Sequence, residues 1–273
     1  MGGPEIKTPA ISANNVSKSF GSKDRPIVAL SSVDFTIADG EFITIVGPSG
    51  CVKSTFLRIV AGISKPTTGT VTTPKGVVSA PLTDVGIVFQ SPVLLDWRNI
   101  LDNVLIQFEL RGINAKPFRD RAKALLEAVG LGEFMDRYPR ELSGGMRQRA
   151  AIARALVHGP SLLLMDEPFG ALDALTREQM RVDLEELWLV SPKTVLFVTH
   201  GIDEAVLLAD RVVVMSPRPG RIEQIITVDI PRPRGLDARR NPAFLRITEQ
   251  ITQIFLARGV FHQGSGLSAS LGH

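Results

Sequence analysis

The sequence predicts an α/β protein in which a mixed sheet carries an antiparallel β-layer and a helical subdomain is attached to it. Three observations carry that reading. Short, compact apolar runs at 41–46, 162–165, 194–198 and 211–215 have the length and composition of parallel strands covered on both faces. Segments 11–20 and 27–37 instead alternate apolar with polar residues at period two, as half-buried antiparallel strands do. Between Ser91 and His158 the apolar residues return at helical spacing.

Taken in order, residues 1–10 form a loose lead-in, and 11–90 together with 159–235 form the core with its antiparallel layer. Within it, the run ending at Val46 leads through a glycine turn into a helix over 53–61 that Gly62 stops, which is half of a βαβ unit. Residues 91–158 are the helical subdomain: Phe118, Ala122, Leu125 and Val129 share one face, Pro117 suits a first turn, and Gly130 suits a C-terminal cap. A charged helix over 176–189 separates two of the apolar strands. Pro217, Pro219, Pro231 and Pro233 exclude regular helix between Ser216 and Asn241, leaving a connector or a β-edge. Residues 236–273 comprise a helix with Phe244, Ile247, Ile251, Ile254 and Phe255 in one stripe, then a frayed Gly/Ser-rich tail.

Composition narrows the function classes. With 273 residues the chain builds a real core without disulfides, and its single cysteine, Cys51, excludes an intrachain bridge. The excess of Lys and Arg over Asp and Glu, 31 to 28, is too small for a dedicated nucleic-acid surface. No run reaches the ~18 apolar residues of a spanning helix, and no basic start precedes an apolar block, so a cytoplasmic address is expected.

Gly47, Pro48, Ser49, Gly50, Cys51, Val52, Lys53, Ser54 and Thr55 nearly match the phosphate-binding loop G-x-x-x-x-G-K-[ST], and they stand between a strand and a helix as that chemistry requires. Backbone N–H groups at a helix N-terminus converge on phosphate oxygens, Lys53 neutralises the β and γ groups, and the Ser54 hydroxyl reaches Mg²⁺. Val52 departs from the motif, which has glycine there. A Cβ at that position opposes close approach to phosphate or the dihedrals that permit it. Two readings stay open: a loop that tolerates valine, or a site weakened by it. On the second, Val52→Gly tightens ATP binding by about tenfold or more, ~1.4 kcal/mol. Isothermal titration with ATP and Mg²⁺ checks this, and equal dissociation constants for the two forms refute it.

Asp166 and Glu167 end the apolar run 162–165, at the strand edge where open α/β sheets bind ligands. Asp166 is placed to hold Mg²⁺, and Glu167 to take a proton from attacking water or polarise it. Gln90 follows the run 85–89, where a neutral amide contacts Mg²⁺ or that water. His200 follows 195–199, its imidazole set to bridge the γ-phosphate to the catalytic carboxylate. Phe20, at the end of the first strand, either stacks on adenine or belongs to the core.

Leu142, Ser143, Gly144, Gly145 and Met146 precede a helix with Met146, Ala150, Ala153 and Val157 on one face, so a second anion-binding N-terminus lies in the same chain. The phosphate loop, Gln90, this LSGGM segment, the 162–167 run, the Ala171-Leu172-Asp173 turn and His200 stand in the order and spacing of ATP-binding-cassette ATPases, which the sequence closely resembles over about residues 11–235. The resemblance implies a P-loop NTPase core of the ABC type that binds and hydrolyses ATP with Mg²⁺. It also implies an ATP-dependent head-to-tail homodimer in which Ser143, Gly144 and Gly145 of one copy close over ATP held by Lys53 and Ser54 of the other, with Asp173 coupling the two sites.

Residues 89–97 and 99–112 further resemble the energising subunits of bacterial importers for nitrate, taurine, alkyl sulfonates and thiamine precursors, with Asp96 where those relatives carry proline. That resemblance implies a peripheral protein on the cytoplasmic face of a bacterial membrane, docked to permease subunits through the apolar stretch Leu94, Leu95 and Trp97, unless those residues are ordinary core. It also implies a periplasmic or lipid-anchored binding protein upstream, and no nucleic-acid partner. The alternative is a hydrolysis-impaired nucleotide clamp, or a degenerate partner subunit, because of Val52.

Overall fold

The computed structural model describes residues 9–22, 25–48 and 53–260. Two sheets form. β1 (Pro9–Phe20) and β2 (Ile27–Ala38) pair antiparallel, as the alternation predicts. β3 (Phe42–Val46), buried at every residue, leads toward helix α1 (Lys53–Val60). Gly62 ends that helix at φ +74°, and a Cβ there would collide with the Ala80 carbonyl, so glycine is required twice over. β4 (Thr68–Thr73) and the two-residue β5 (Gly76–Val77) complete the antiparallel sheet in the order β2-β1-β4-β5. β4 is mostly threonine and β5 is two residues long, so both carry too little apolar alternation to announce themselves.

The second sheet collects β3, β6 (Val85–Val88), β7 (Leu162–Asp166), β8 (Thr194–Thr199), β9 (Arg211–Met215) and β10 (Ile222–Thr227) in the order β10-β9-β3-β8-β7-β6. All neighbours run parallel except β10, which pairs antiparallel with β9 and gives the proline-rich segment its edge strand. Both faces of this sheet are covered, which is why its strands read as continuous apolar runs. One face, with Ile43, Ile45, Leu164 and Val198, packs on α1 and on Val16, Leu30 and Ile37 of the antiparallel sheet.

The other face is covered by helices. Between β6 and β7 lie α2 (Ile100–Leu110), α3 (Arg119–Ala128) and α4 (Gly144–Leu156), and after β7 come α5 (Ala174–Val190), α6 (Ile202–Leu208) and α7 (Pro242–Ala257). Phe42, Leu163, Met165 and Phe197 pack against Ile152 of α4 and Met180 and Leu184 of α5. Val212 and Val214 pack against α6 and the Phe244, Ile247, Ile251, Phe255 stripe of α7. Ala150, Ala153 and Val157 turn instead toward α2 and α3, burying Val104, Phe108, Ala122 and Leu126 in a cluster of their own. Helix α4 thus belongs to both the sheet and the helical cluster. Among the described residues no helix is long and apolar enough to cross a membrane.

Candidate active site

The strand order decides what meets at the site. β6, β7, β8 and β3 are adjacent and parallel, with Val88 opposite Met165, Asp166 opposite Val198, and Thr199 opposite Val46. Residues that follow each strand therefore emerge along one edge: Gln90 after β6, Glu167 after β7, His200 after β8 and Lys53 after β3. Side chains from three segments far apart in sequence converge on one carboxylate carried by the fourth.

Glu167 is that hub. Its Oε1 lies 3.7 Å from Lys53 Nζ, and its Oε2 lies 3.4 Å from both His200 Nδ1 and Gln90 Nε2. Its backbone takes φ +47°, the left-handed region that costs a residue with a Cβ ~1–2 kcal/mol. The amide of Glu167 donates to the Val198 carbonyl at 2.9 Å and its carbonyl accepts from Gly170 at 3.1 Å, so both sides of the residue are fixed where it leaves the strand. Strain held in this way, beside a converging set of polar groups, is a mark of functional geometry.

Lys53 is 2% exposed and donates from Nζ to the carbonyls of Gly47 (2.8 Å) and Pro48 (3.1 Å). Its ammonium is thus held over the loop by the loop's own carbonyls. Ser54 Oγ donates to Asp166 Oδ1 at 2.6 Å, and Thr55 is half-buried beside it in α1. Burial raises the Asp166 carboxyl above the ordinary carboxylate range, against the Ser54 hydrogen bond that lowers it. One hydroxyl and one buried carboxylate form a hard oxygen pair of the kind that serves Mg²⁺ in phosphate sites, where the cation keeps waters and takes the rest of its ligands from phosphate. Among the described residues no three or more His, Cys, Asp or Glu gather as an all-protein metal cage. Ser49, Gly50, Cys51 and Val52 lie outside the described residues.

A second groove, of about 500 Å³, is lined by Ser143, Gly144, Gly145, Arg149, Leu172, Asp173 and Thr176 and includes none of the residues around Glu167. Two helix N-termini meet there. Ser143 caps α4, accepting from the Met146 amide at 3.2 Å, and Asp173 caps α5, accepting from the Thr176 amide at 3.0 Å. The Thr176 backbone bond holds the Asp173 carboxyl below its usual range. A Cβ on Gly145 would press on Thr176 Cγ2 at 3.2 Å, so this glycine lets the two helix ends approach, while Gly144 faces open space. Phe20 is 48% exposed, with Lys18 Nζ 5.3 Å from its ring centre, so it is not a core residue.

The chain matches the ABC transporter family model over residues 30–170. It belongs to the ABC transporter family. The cassette is 45% identical over 244 residues to an uncharacterized ABC transporter ATP-binding protein of Methanocaldococcus jannaschii, covering 89% of this chain and 90% of that protein. It is 41% identical over 250 residues to a nitrate import ATP-binding protein of Synechocystis sp., covering 89% and 94%. An aliphatic sulfonates import ATP-binding protein of Bacillus cereus is 38% identical over 250 residues, covering 92% and 97%. Among solved structures, an ATP-binding cassette caught as a post-hydrolysis dimer with ADP and Pi superimposes with a TM-score of 0.72 at 33% identity, covering 81% of this chain and 99% of that one. The cassette is an ABC-type ATPase.

Several residues of consequence are not announced by motif. Gln148 in α4 is buried and donates to the Phe89 carbonyl at 3.1 Å, tying the helix that begins at Gly144 to the residue before Gln90. Asn103, fully buried, accepts from the Leu95 amide at 2.7 Å and donates to the carbonyls of Leu95, Arg98 and Asn99, each at 3.0 Å. It fixes the segment on which Trp97 stands 73% exposed, outside the core.

Proposed function

We propose that this cassette binds ATP with Mg²⁺ in the cluster around Glu167 and hydrolyses it to energise a bacterial importer of the nitrate and sulfonate type. The observation that carries the proposal is the convergence of Lys53, Gln90 and His200 on the single carboxylate of Glu167. Lys53 holds the β and γ phosphates once they replace the Gly47 and Pro48 carbonyls as its partners. Ser54 and Asp166 hold the cation. A Mg²⁺ ion held by these two residues would supply positive charge to offset the charge that develops on the phosphates. Glu167 accepts the proton of the attacking water, Gln90 orients that water, and His200 keeps the carboxylate aligned with the γ-phosphate.

The groove at Ser143, Gly144, Gly145 and Asp173 offers backbone N–H groups and helix N-termini to an anion, yet no residue of the Glu167 cluster faces it. A head-to-tail second copy supplies what each half lacks, and the dimeric state of the solved relative supports that arrangement. Trp97 and Val93, both exposed on the segment after Gln90, present an apolar face to permease subunits at the cytoplasmic side of the membrane. Arg154 holds this segment by donating to the carbonyls of Val93 (2.8 Å) and Pro92 (2.9 Å). Phe20, exposed at its strand end, is available to the adenine ring.

Asp166→Asn tests the cation's part in this reading. The substitution keeps an oxygen for the Ser54 hydroxyl and removes a charge that burial disfavours, so the melting temperature is expected to equal or exceed that of the wild type. Mg²⁺-dependent ATP hydrolysis is expected to fall by about a hundredfold. Thermal melts and steady-state phosphate release check both halves, and unchanged hydrolysis refutes the assignment.

A further inference from the structure

Between α5 and α6 lies a small charged cleft lined by Arg177, Glu178, Arg181, Asp203, Glu204 and Arg239. Its inner side connects two loops of the site. Arg177, one turn into α5, donates from Nη2 to the Leu172 carbonyl at 2.9 Å, gripping the turn that carries Asp173. Its Nε faces Glu204 Oε1 at 3.6 Å. That Nε is buried and makes no hydrogen bond. Glu204, on α6, accepts from Thr199 Oγ1 at 2.6 Å, and Thr199 Oγ1 in turn accepts from the Gly201 amide at 2.9 Å. His200 sits between those two residues, so its loop is clamped on both sides by groups that answer to Glu204. Gly201 leaves the room: a Cβ there would press on the Glu204 carboxyl carbon at 3.3 Å.

Building on the hydrolysis reading above, we propose that Arg177 and Glu204 are a positioning pair joining the Asp173 turn to the His200 loop. The alignment of His200 with Glu167 then depends on the state of the turn that faces the second copy. A change of a few tenths of an ångström at Leu172 moves the guanidinium, which moves the carboxylate and through Thr199 the His200 backbone. The outer side of the cleft is pinned independently. Arg239 bonds Glu178 through Nη2 at 2.7 Å and Asp203 through Nε at 3.3 Å, so α5 and α6 keep their spacing when the inner pair is cut.

Arg177→Met, Glu204→Gln and the double variant, assayed as full chains for steady-state ATP hydrolysis, test the pair. Glutamine retains an acceptor for Thr199 and removes the ionic contact. Each single variant is expected to lower kcat about tenfold with KM for ATP held to about twofold, and the double variant is expected to lose no more than about tenfold. Melting temperatures close to that of the wild type separate positioning from loss of fold. Losses that multiply to about a hundredfold in the double variant, or an unchanged kcat in Glu204→Gln, overturn the pair while leaving the hydrolysis reading intact. A wild-type chain that fails to hydrolyse ATP overturns both.

Discussion

Glu167→Gln is expected to lower ATP turnover by at least about a hundredfold while leaving ATP affinity within about threefold of the wild type. The two effects separate because, among the described residues, Glu167 touches the cradle through a 3.7 Å contact with Lys53, whereas Lys53 keeps its own carbonyl partners and Ser54 keeps Asp166. Glutamine is nearly isosteric, so Gln90 and His200 still find an oxygen in place. What is lost is the negative charge and the proton acceptor. Phosphate release gives the first quantity and equilibrium titration with ATP and Mg²⁺ the second. Parallel loss of binding and turnover places Glu167 in the binding cradle instead.

Arg234→Ala is expected to destabilise the fold by about 3–5 kcal/mol, the range for breaking a buried charged network. Arg234 is 2% exposed, and its guanidinium donates to the carbonyls of Ile230, Val206 and Ala209 at 3.0, 3.1 and 2.5 Å. Val206 and Ala209 belong to the end of α6, whose last carbonyls have no partner within the helix. Burial, reinforced by the charge of Arg232, pulls the Arg234 pKa down to about 10, so the group stays charged at neutral pH with its donors intact. Its backbone amide meanwhile donates to both Glu185 oxygens, at 3.0 and 2.9 Å. Alanine strands these carbonyls in a dry interior. For a chain of this size ~1 kcal/mol corresponds to roughly 2–4 °C in Tm, so a fall of about 6 °C or more is expected. A melt within about 2 °C of the wild type contradicts the role.

How much of this was legible beforehand follows from range in sequence. The parallel strands, the antiparallel pair, Gly62 and the acids after β7 each leave a local trace: an apolar run, an alternation, a glycine at a helix end, charges at a strand end. Motif order points to Lys53, Gln90, Glu167 and His200 as one site, with only His200 expected beside the carboxylate; the meeting of Lys53 and Gln90 with Glu167 follows from strand adjacency. Arg181, Glu185 and Arg234 do not read as interior residues, because the bonds that tie α5 to the Arg234 segment span about fifty residues and a charged helix normally reads as solvated. One trace existed: Arg181 and Glu185 share the face of α5 with Met180 and Leu184, all buried. Similarly, nothing local marks Arg177 and Glu204 as a pair, since they lie 27 residues apart and meet only when α5 packs beside α6. β4 and β5 carry no such trace because backbone pairing of β4 with both β1 and β5, not apolar pattern, makes them strands.

The central claim is that one chain carries two half-sites which ATP joins across two copies. Light scattering on Glu167→Gln measures this most directly, with ATP and Mg²⁺, with ADP, and with ATP after Ser143→Arg is added. The account predicts a particle of twice 29.6 kDa only in the first condition, and monomers in the other two. A monomer that retains bound ATP in the first condition, or a dimer that survives Ser143→Arg, would contradict it.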